Sequence, residues 1–279
     1  MPLPNFLIIG AQKAGTSWLH FQLKQHPEIY IPSQEIHYFD KEFNFNKGIE
    51  WYKQQFSSVT SEKVIGEKTP EYLWANGEGW EEHLPEVHRN IYAQLPEVKL
   101  IIILRNPVER AVSALNHVIR SGRISPLHNF NELLIGRKQH LVKGYGILEK
   151  GIYHKQLSEY KKLFPFDQIM ILIFEEDVVK APQKTLKSIF DFVGVEDCSD
   201  YYNFDKKVNE SSFSRFKLAV DYHFPFYFVK KVTNRLDKHF PKEKIKPDEN
   251  TTNRLYEFYV EPNQKLYQIL GDRIAVWQK

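Results

Sequence analysis

The sequence predicts an α/β protein with a central, mostly parallel sheet flanked by helices. Short apolar runs of strand length alternate with stretches of helical periodicity, the pattern of a parallel sheet covered on both faces. The first run leads into a glycine-bearing turn and then a helix start, an order typical of phosphate-binding loops. Together these observations favour a P-loop-like, three-layer fold. A chain of 279 residues with 42% hydrophobic side chains can bury the core that such a fold needs.

The individual elements follow from local patterns. Strands are predicted at residues 6–9, 64–66, 99–104 and 169–174. Pro107 suits the first turn of a helix that runs to about Ser121, with Asn106 as its cap. Further helices are predicted at 153–163, at 182–192 with a stop at Gly194, and at 252–270 with a bend at Pro262.

We expect one domain over residues 1–279, with a loop-rich cover at 197–250 and a C-terminal helical segment at 251–279. Seven basic residues crowd the late part of that cover. They either meet an anionic substrate or form a solvated surface. They are Lys230, Lys231, Arg235, Lys238, Lys242, Lys244 and Lys246.

Composition excludes some classes of protein. A formal charge of +3 is too small to argue for nucleic-acid binding, and no apolar run reaches the length of a membrane span. The N-terminus lacks a signal-peptide pattern, and Cys198 is the single cysteine. We therefore expect a soluble, cytoplasmic protein, with a truncated lumenal domain as the alternative.

The loop at residues 10–17, GAQKAGTS, is the first candidate site. Backbone N–H groups and the helix dipole at such a helix start attract a phosphate. In an ATP-binding loop a lysine follows the second glycine, whereas here Thr16 follows Gly15 and Lys13 lies inside the turn. The loop therefore predicts a nucleotide site of a different kind.

Two further segments carry polar residues just past predicted strands. Arg105 and Ser113 are placed to hold a second phosphate, or else to pair with a carboxylate and to pack a helix. Glu67 and Lys68 suit either a substrate contact or a structural salt bridge. Of the nearby aromatics, Tyr72, Trp74 and Trp80 either touch an acceptor or belong to the core.

The segment 31–40 contains two candidate proton acceptors. If it is extended, Glu35, His37 and Phe39 share one face, and Asp40 lies on the other. An apolar, aromatic wall would raise the pKa of Glu35 and suit it as a general base, with His37 as its partner or its rival. The alternative is a surface strand with solvated charges.

These motifs together resemble the sulfotransferases that use 3′-phosphoadenosine 5′-phosphosulfate (PAPS), and among them the heparan sulfate glucosaminyl 3-O-sulfotransferases. The chain differs from that group at Gln34, where a lysine is usual, and in having one cysteine. The stretches that carry the resemblance are residues 12–17, 34–40, 67–70, 105–113, 151–153 and 261–267.

The resemblance implies a role for each matching residue. Glu35 would be the base, supported by His37 and Asp40, while Lys13 would stabilise the leaving phosphate. Lys68 would contact the acceptor. The donor would be held by Gln12, Lys13, Ala14, Gly15, Thr16, Ser17, Arg105, Ser113 and Tyr153, with Lys244 and Lys246 from the cover.

The implied reaction is an in-line attack by an acceptor hydroxyl, or less readily an amine, on the sulfur of PAPS, releasing adenosine 3′,5′-bisphosphate. The acceptor would be a sugar, a glycan or a small alcohol, and no metal would be required. Two alternatives stay open. One is an ATP-dependent kinase, which would need a lysine where Thr16 stands, and the other is a nucleotide-binding module without catalysis.

Overall fold

The structure is a computed structural model that describes residues 2–77, 83–202, 204 and 213–277. Five strands in this part of the chain form one sheet with the order β2-β3-β1-β4-β5. All four strand pairs in the sheet are parallel. The strands are β1 Phe6–Gly10, β2 Ile29–Tyr30, β3 Val64–Lys68, β4 Lys99–Leu104 and β5 Ile169–Ile173.

Helices connect and flank the strands, which confirms the predicted fold class. The α helices are α1 Thr16–Leu23, α2 Glu42–Phe45, α3 Gly48–Gln54, α4 Val87–Gln94, α5 Pro107–Arg120, α6 Phe130–Ile135, α7 Tyr153–Lys161, α8 Pro182–Val193, α9 Arg215–His223, α10 Tyr227–Leu236 and α11 Glu249–Leu270.

The apolar runs of the sequence form the centre of the sheet. Every residue of β1 is buried, and so is every residue of β4 after Lys99. Parallel strands covered on both faces need continuous rather than alternating apolar residues, which is why short Ile- and Leu-rich runs identified them. The carboxyl ends of β1, β3 and β4 lie at one edge of this sheet, because the three strands are adjacent and parallel.

The described chain divides into two compact units. The first contains residues 1–106, 152–208 and 261–279, and it holds the sheet. The second contains residues 107–151 and 209–260. Helix α11 passes from the second unit into the first along its length. The single domain expected from the sequence stays a prediction.

Most element predictions are confirmed to within a few residues. Helix α8 ends at Val193, and the next residue, Gly194, has a φ of 88°, a left-handed conformation that glycine adopts without strain. Pro262 lies inside α11, as expected. The two-residue β2 was missed because a strand so short has no readable periodicity.

The segment 197–250 differs from the loop-rich cover that was expected. Its described part contains two helices, α9 and α10. Helix prediction relies on an apolar stripe that faces the core, but in α10 Phe228 and Val232 are exposed while Thr233 is buried. The pattern therefore did not indicate a core-facing helix.

Candidate active site

The loop between β1 and α1 has the backbone of an anion site. Lys13 and Gly15 both have positive φ values, of 69° and 100°. A Cβ atom on Gly15 would lie 2.8 Å from the Phe174 ring, so only glycine fits there. The two left-handed residues turn the chain sharply from the end of β1 into the first turn of α1.

The N-terminus of α1 is suited to bind a negative group. Its N-cap residue is Gly15, which has no side chain to cap the helix, and its first turn contains no acidic residue. The N–H groups of a first helical turn have no acceptor within the helix, and the helix dipole adds a partial positive charge. Thr16 and Ser17 begin this turn directly after Lys13-Ala14-Gly15. The loop predicted from the sequence therefore has the geometry to hold a phosphate.

Arg105, the residue directly after β4, stabilises this loop. Its guanidinium donates a hydrogen bond of 3.3 Å to the carbonyl oxygen of Lys13 and stacks over Phe174, with 5.0 Å from Cζ to the ring centroid. The hydroxyl of buried Tyr153 donates to the Arg105 carbonyl oxygen at 2.8 Å. The sequence predicted Arg105 only as a phosphate contact or a carboxylate partner, and its support of the loop was missed.

The second unit contains the other predicted donor contacts. Ser113 is buried on α5, and one turn later Asn116 binds the backbone of Ile245 through two hydrogen bonds, of 2.8 and 3.0 Å. Lys244 and Lys246 flank Ile245, so the helix carrying Ser113 also anchors the two lysines. Asn116 was not predicted, since a lone helical asparagine carries no signal of a long-range contact.

Four predicted residues of the first unit form a continuous ionic chain. The Lys68 ammonium lies 2.6 Å from Glu35 Oε1, and Glu35 Oε2 lies 3.4 Å from His37 Nε2. His37 Nδ1 lies 2.9 Å from the fully buried carboxylate of Asp40. Lys68 is the last residue of β3, so it places this cluster at the carboxyl edge of the sheet.

The charges of this cluster are set by its members. Burial acts to raise the pKa of Glu35, but the hydrogen bonds and charges of His37 and Lys68 outweigh it and lower the pKa to about 2. Burial acts to lower the pKa of His37, but Asp40 and Glu35 raise it to about 10. Glu35 is therefore anionic and His37 cationic at neutral pH, and the raised pKa expected for Glu35 is wrong.

The backbone of residues 31–40 explains why Asp40 joins the cluster. His37 has a left-handed φ of 54°, and residues 38–40 form a turn rather than the extended chain that was considered. The Asn44 amide holds this turn by donating to the carbonyl oxygens of Ile36 and His37, at 3.0 and 3.2 Å. In an extended strand Asp40 would point to the face opposite His37. The observed turn instead places the Asp40 carboxylate beside the His37 ring.

Backbone and side-chain contacts join the phosphate loop to the cluster. The N–H of Thr69 donates to Ile8 at 3.2 Å, and the Gln12 side chain donates to Glu71. On the other side, His20 of α1 is 2.8 Å from the Pro32 carbonyl oxygen. The charges of Lys68 and Glu35 both act on His20, whose pKa is lowered mainly by burial. Loop and cluster thus belong to one site at one sheet edge.

Glu67 supports the site from within the core and does not pair with Lys68. It accepts hydrogen bonds from the hydroxyls of Tyr52, Thr69 and Tyr72. Burial raises its pKa to about 7 despite these donors. The Tyr72 hydroxyl also accepts the Tyr38 N–H at 2.9 Å, which ties Glu67 to the turn that carries Asp40.

The three aromatic candidates for acceptor contact differ in position. Tyr72 is fully buried, so its ring cannot serve as an acceptor platform. Trp74 is 6% exposed and lies against His83, with ring centroids 5.1 Å apart, so its acceptor contact stays a prediction. Trp80 lies outside the described residues.

No helix in the described part of the chain is both long and apolar enough to cross a bilayer. Among the same residues, no group of three or more histidine, cysteine or acidic side chains is placed to hold a metal ion.

Proteins of similar sequence show to which family this chain belongs. Human heparan sulfate glucosamine 3-O-sulfotransferase 5 is 28% identical over 272 residues, covering 96% of this chain and 72% of the relative. Human heparan sulfate glucosamine 3-O-sulfotransferase 3B1 is also 28% identical, over 96% of this chain and 64% of the relative.

A crystallised sulfotransferase from Alicyclobacillus acidocaldarius shares the fold. Its TM-score is 0.70 at 23% identity, with both chains covered completely. A sequence profile described as the sulfotransferase domain matches residues 3–246, through both compact units. The chain therefore belongs to the sulfotransferase domain family and is a sulfotransferase.

Proposed function

We propose that this enzyme transfers the sulfuryl group of PAPS to a hydroxyl of a sugar or glycan. The observation that carries the proposal is the placement of two groups at one sheet edge. They are an anion-binding loop containing Lys13 and a glutamate held as an anion by Lys68 and His37. The first suits a phosphorylated donor, and the second suits an acceptor that must lose a proton.

The donor site fits the charge of PAPS. The amides at the start of α1 and the Lys13 ammonium would face its 5′ end, and Arg105 of the same unit would serve its 3′-phosphate. Ser113, Lys244 and Lys246 of the second unit stay predicted contacts of that phosphate. PAPS supplies the sulfuryl group and is converted to adenosine 3′,5′-bisphosphate. Charge accumulates on the bridging oxygen when the sulfur–oxygen bond breaks, and a positioned lysine lowers the barrier most when it acts on that charge.

The protonation states favour Glu35 over His37 as the base. A cationic imidazole donates from both ring nitrogens and has no lone pair left, and the two nitrogens of His37 face Asp40 and Glu35. Glu35 is ionised, so its oxygens can accept the proton of an acceptor hydroxyl. His37 and Asp40 then orient the carboxylate.

The low pKa of Glu35 makes it a weak base in the free enzyme. Lys68 is one of the residues that keep this pKa low. An acceptor hydroxyl that approaches Glu35 competes with Lys68 for the same carboxylate. Moving the ammonium from Glu35 toward the acceptor raises the pKa of Glu35, which strengthens the base when the acceptor is bound. Lys68 is thus proposed both to contact the acceptor and to tune the base.

The class of acceptor is proposed from the relatives. Those that match 96% of this chain are named for sulfation of heparan sulfate glucosamine. At 28% identity this favours a sugar hydroxyl over other alcohols without fixing the glycan. The family assignment does not favour the kinase or the non-catalytic module that the sequence left open.

Calorimetric titration tests the donor site directly. We expect adenosine 3′,5′-bisphosphate to bind more tightly than ADP in the presence of a chelator. A preference for ADP with magnesium would contradict the proposal. Transfer of labelled sulfate from PAPS to heparan sulfate, simpler sugars and small alcohols, with and without chelator, then tests the acceptor and the expected independence from metal.

A further inference from the structure

The turn between α9 and α10 is an exposed aromatic tip on the second unit. Residues 224–228 read FPFYF. The exposed fractions are 55% for Phe224, 61% for Phe226, 82% for Tyr227 and 67% for Phe228. Large apolar side chains clustered in solvent mark an interaction surface on a folded protein.

Helix α10 extends this apolar surface away from the turn. Phe228, Val232 and Leu236 follow one another at intervals of four residues, and all three are exposed. Thr233, about 100° around the helix from the centre of this stripe, is buried. A surface helix normally turns its apolar stripe to the core, so α10 presents the reverse orientation.

Two basic side chains border this stripe, and the segment that carries it contains no acidic residue. Residues 222–236, which we call the aromatic–basic tip, contain Lys230, Lys231 and Arg235 but no Asp or Glu. At 100° per residue, Lys231 and Arg235 lie beside Phe228 on the helix circumference. The tip is therefore both apolar and cationic.

The nearest acidic residues on either side are already neutralised by partners. Asp221 lies 2.5 Å from the Lys217 ammonium and accepts a 2.6 Å hydrogen bond from the Thr233 hydroxyl. Asp237 lies 2.8 Å from the Lys242 ammonium. The charge of Lys230 also acts on Asp221, whereas neither carboxylate is bonded to Lys231 or Arg235 in the described part of the chain.

We propose that the aromatic–basic tip binds the surface of an anionic lipid bilayer. Aromatic rings are stable at the boundary between headgroups and acyl chains, and lysine and arginine beside them are attracted to anionic headgroups. A symmetric contact with a second copy fits less well, since it would bring two cationic surfaces together. Binding is peripheral and needs no membrane-spanning segment.

Vesicle flotation with the full chain tests this proposal without measuring sulfate transfer, so its outcome is separate from that of the proposed function. We expect binding to vesicles of phosphatidylcholine and phosphatidylserine, weaker binding to phosphatidylcholine alone, and a decrease with added salt. Each neutralised cation beside the stripe should reduce partitioning roughly fivefold, so K231Q/R235Q should lose about 25-fold. F226S/Y227S should lose binding to both kinds of vesicle.

Matched variants on the first unit control for composition. Lys161→Gln with Lys184→Gln makes the same charge change at exposed positions, and Phe166→Ser removes an aromatic ring that is 76% exposed. Both should bind vesicles like the wild type. Circular dichroism of every variant confirms that it is folded.

Several results would overturn the proposal. These are no flotation of the wild type, equal binding to neutral and anionic vesicles, or equal losses in the control variants. A concentration-dependent dimer that F226S/Y227S abolishes, without vesicle binding, would assign the tip to self-association. Retention on heparin that needs Lys231 and Arg235 but not the aromatic rings, again without vesicle binding, would assign it to an acidic glycan.

Discussion

The Lys68 ammonium lies 2.6 Å from the Glu35 carboxylate, and this contact helps to hold Glu35 as an anion. Because Lys68 ends β3 and is mostly buried, its position is set by the sheet rather than by a mobile surface chain. The proposed base is therefore stabilised by the same residue that is proposed to contact the acceptor.

Lys68→Met should raise the pKa of Glu35 from about 2 toward its ordinary value near 4.5. The ammonium stabilises the anionic form, and its loss removes that effect. Carboxyl NMR titration would measure the change, and the acidic limb of kcat/KM should move in the same direction. Lys63→Met, a change at an exposed lysine beside β3, serves as the control. An unchanged Glu35 titration would contradict the assigned ion pair.

Glu35→Gln should reduce kcat by about 10²- to 10⁴-fold, the usual contribution of a general base. Affinity for adenosine 3′,5′-bisphosphate should change little, since Glu35 is proposed to act on the acceptor and not on the donor. Steady-state kinetics with calorimetry would separate the two effects. Glu97→Gln, at an exposed position before β4, should behave like the wild type. Near-normal turnover in the Glu35 variant would move the role to another group.

His37→Gln should lower the free energy of unfolding by roughly 1–3 kcal/mol near pH 6, after allowance for solvent screening. The folded pKa of about 10 lies above the unfolded value of 6.5, so this stabilisation is complete below 6.5 and is lost as the pH rises through 10. Urea unfolding of both proteins at pH 6 and pH 10 should show the difference shrink. A constant difference would mean that His37 acts only by packing.

Lys13→Ala should reduce turnover more than it weakens binding of adenosine 3′,5′-bisphosphate. A cation that acts on charge developing at the leaving oxygen contributes mainly to the transition state. Comparing kcat with calorimetric affinity tests this, with Lys24→Ala at the end of α1 as a control. Equal proportional losses in kcat and affinity would indicate a positioning role for Lys13.

Glu67→Gln should stabilise the protein more at pH 8 than at pH 6. Burial raises the folded pKa of Glu67 to about 7, above its unfolded value, so stability is lost as the pH rises through this range. A neutral amide avoids that loss. Tyr72→Phe should instead destabilise the protein at both pH values by roughly 1–3 kcal/mol, because it removes a buried donor. Thermal or urea unfolding at the two pH values would check both variants.

Local pattern was sufficient for the sheet and the phosphate loop. Strands buried on both faces are continuous apolar runs, so β1 and β4 could be recognised without knowledge of their partners. The loop around Lys13 is a short contiguous segment, and its glycines and lysine carry the whole signal. These features were predictable because each depends on residues that are neighbours in the chain.

Tertiary structure decided the charges of the site and the surface of the second unit. The pKa of Glu35 depends on Lys68 and His37, whose distance from it no spacing reveals, and an isolated apolar wall would have shifted it in the opposite direction. The exposure of α10 likewise depends on which face packs inward. The chain order determines which residues are available, but electrostatic energy depends on separation in space, and only the folded chain sets that separation.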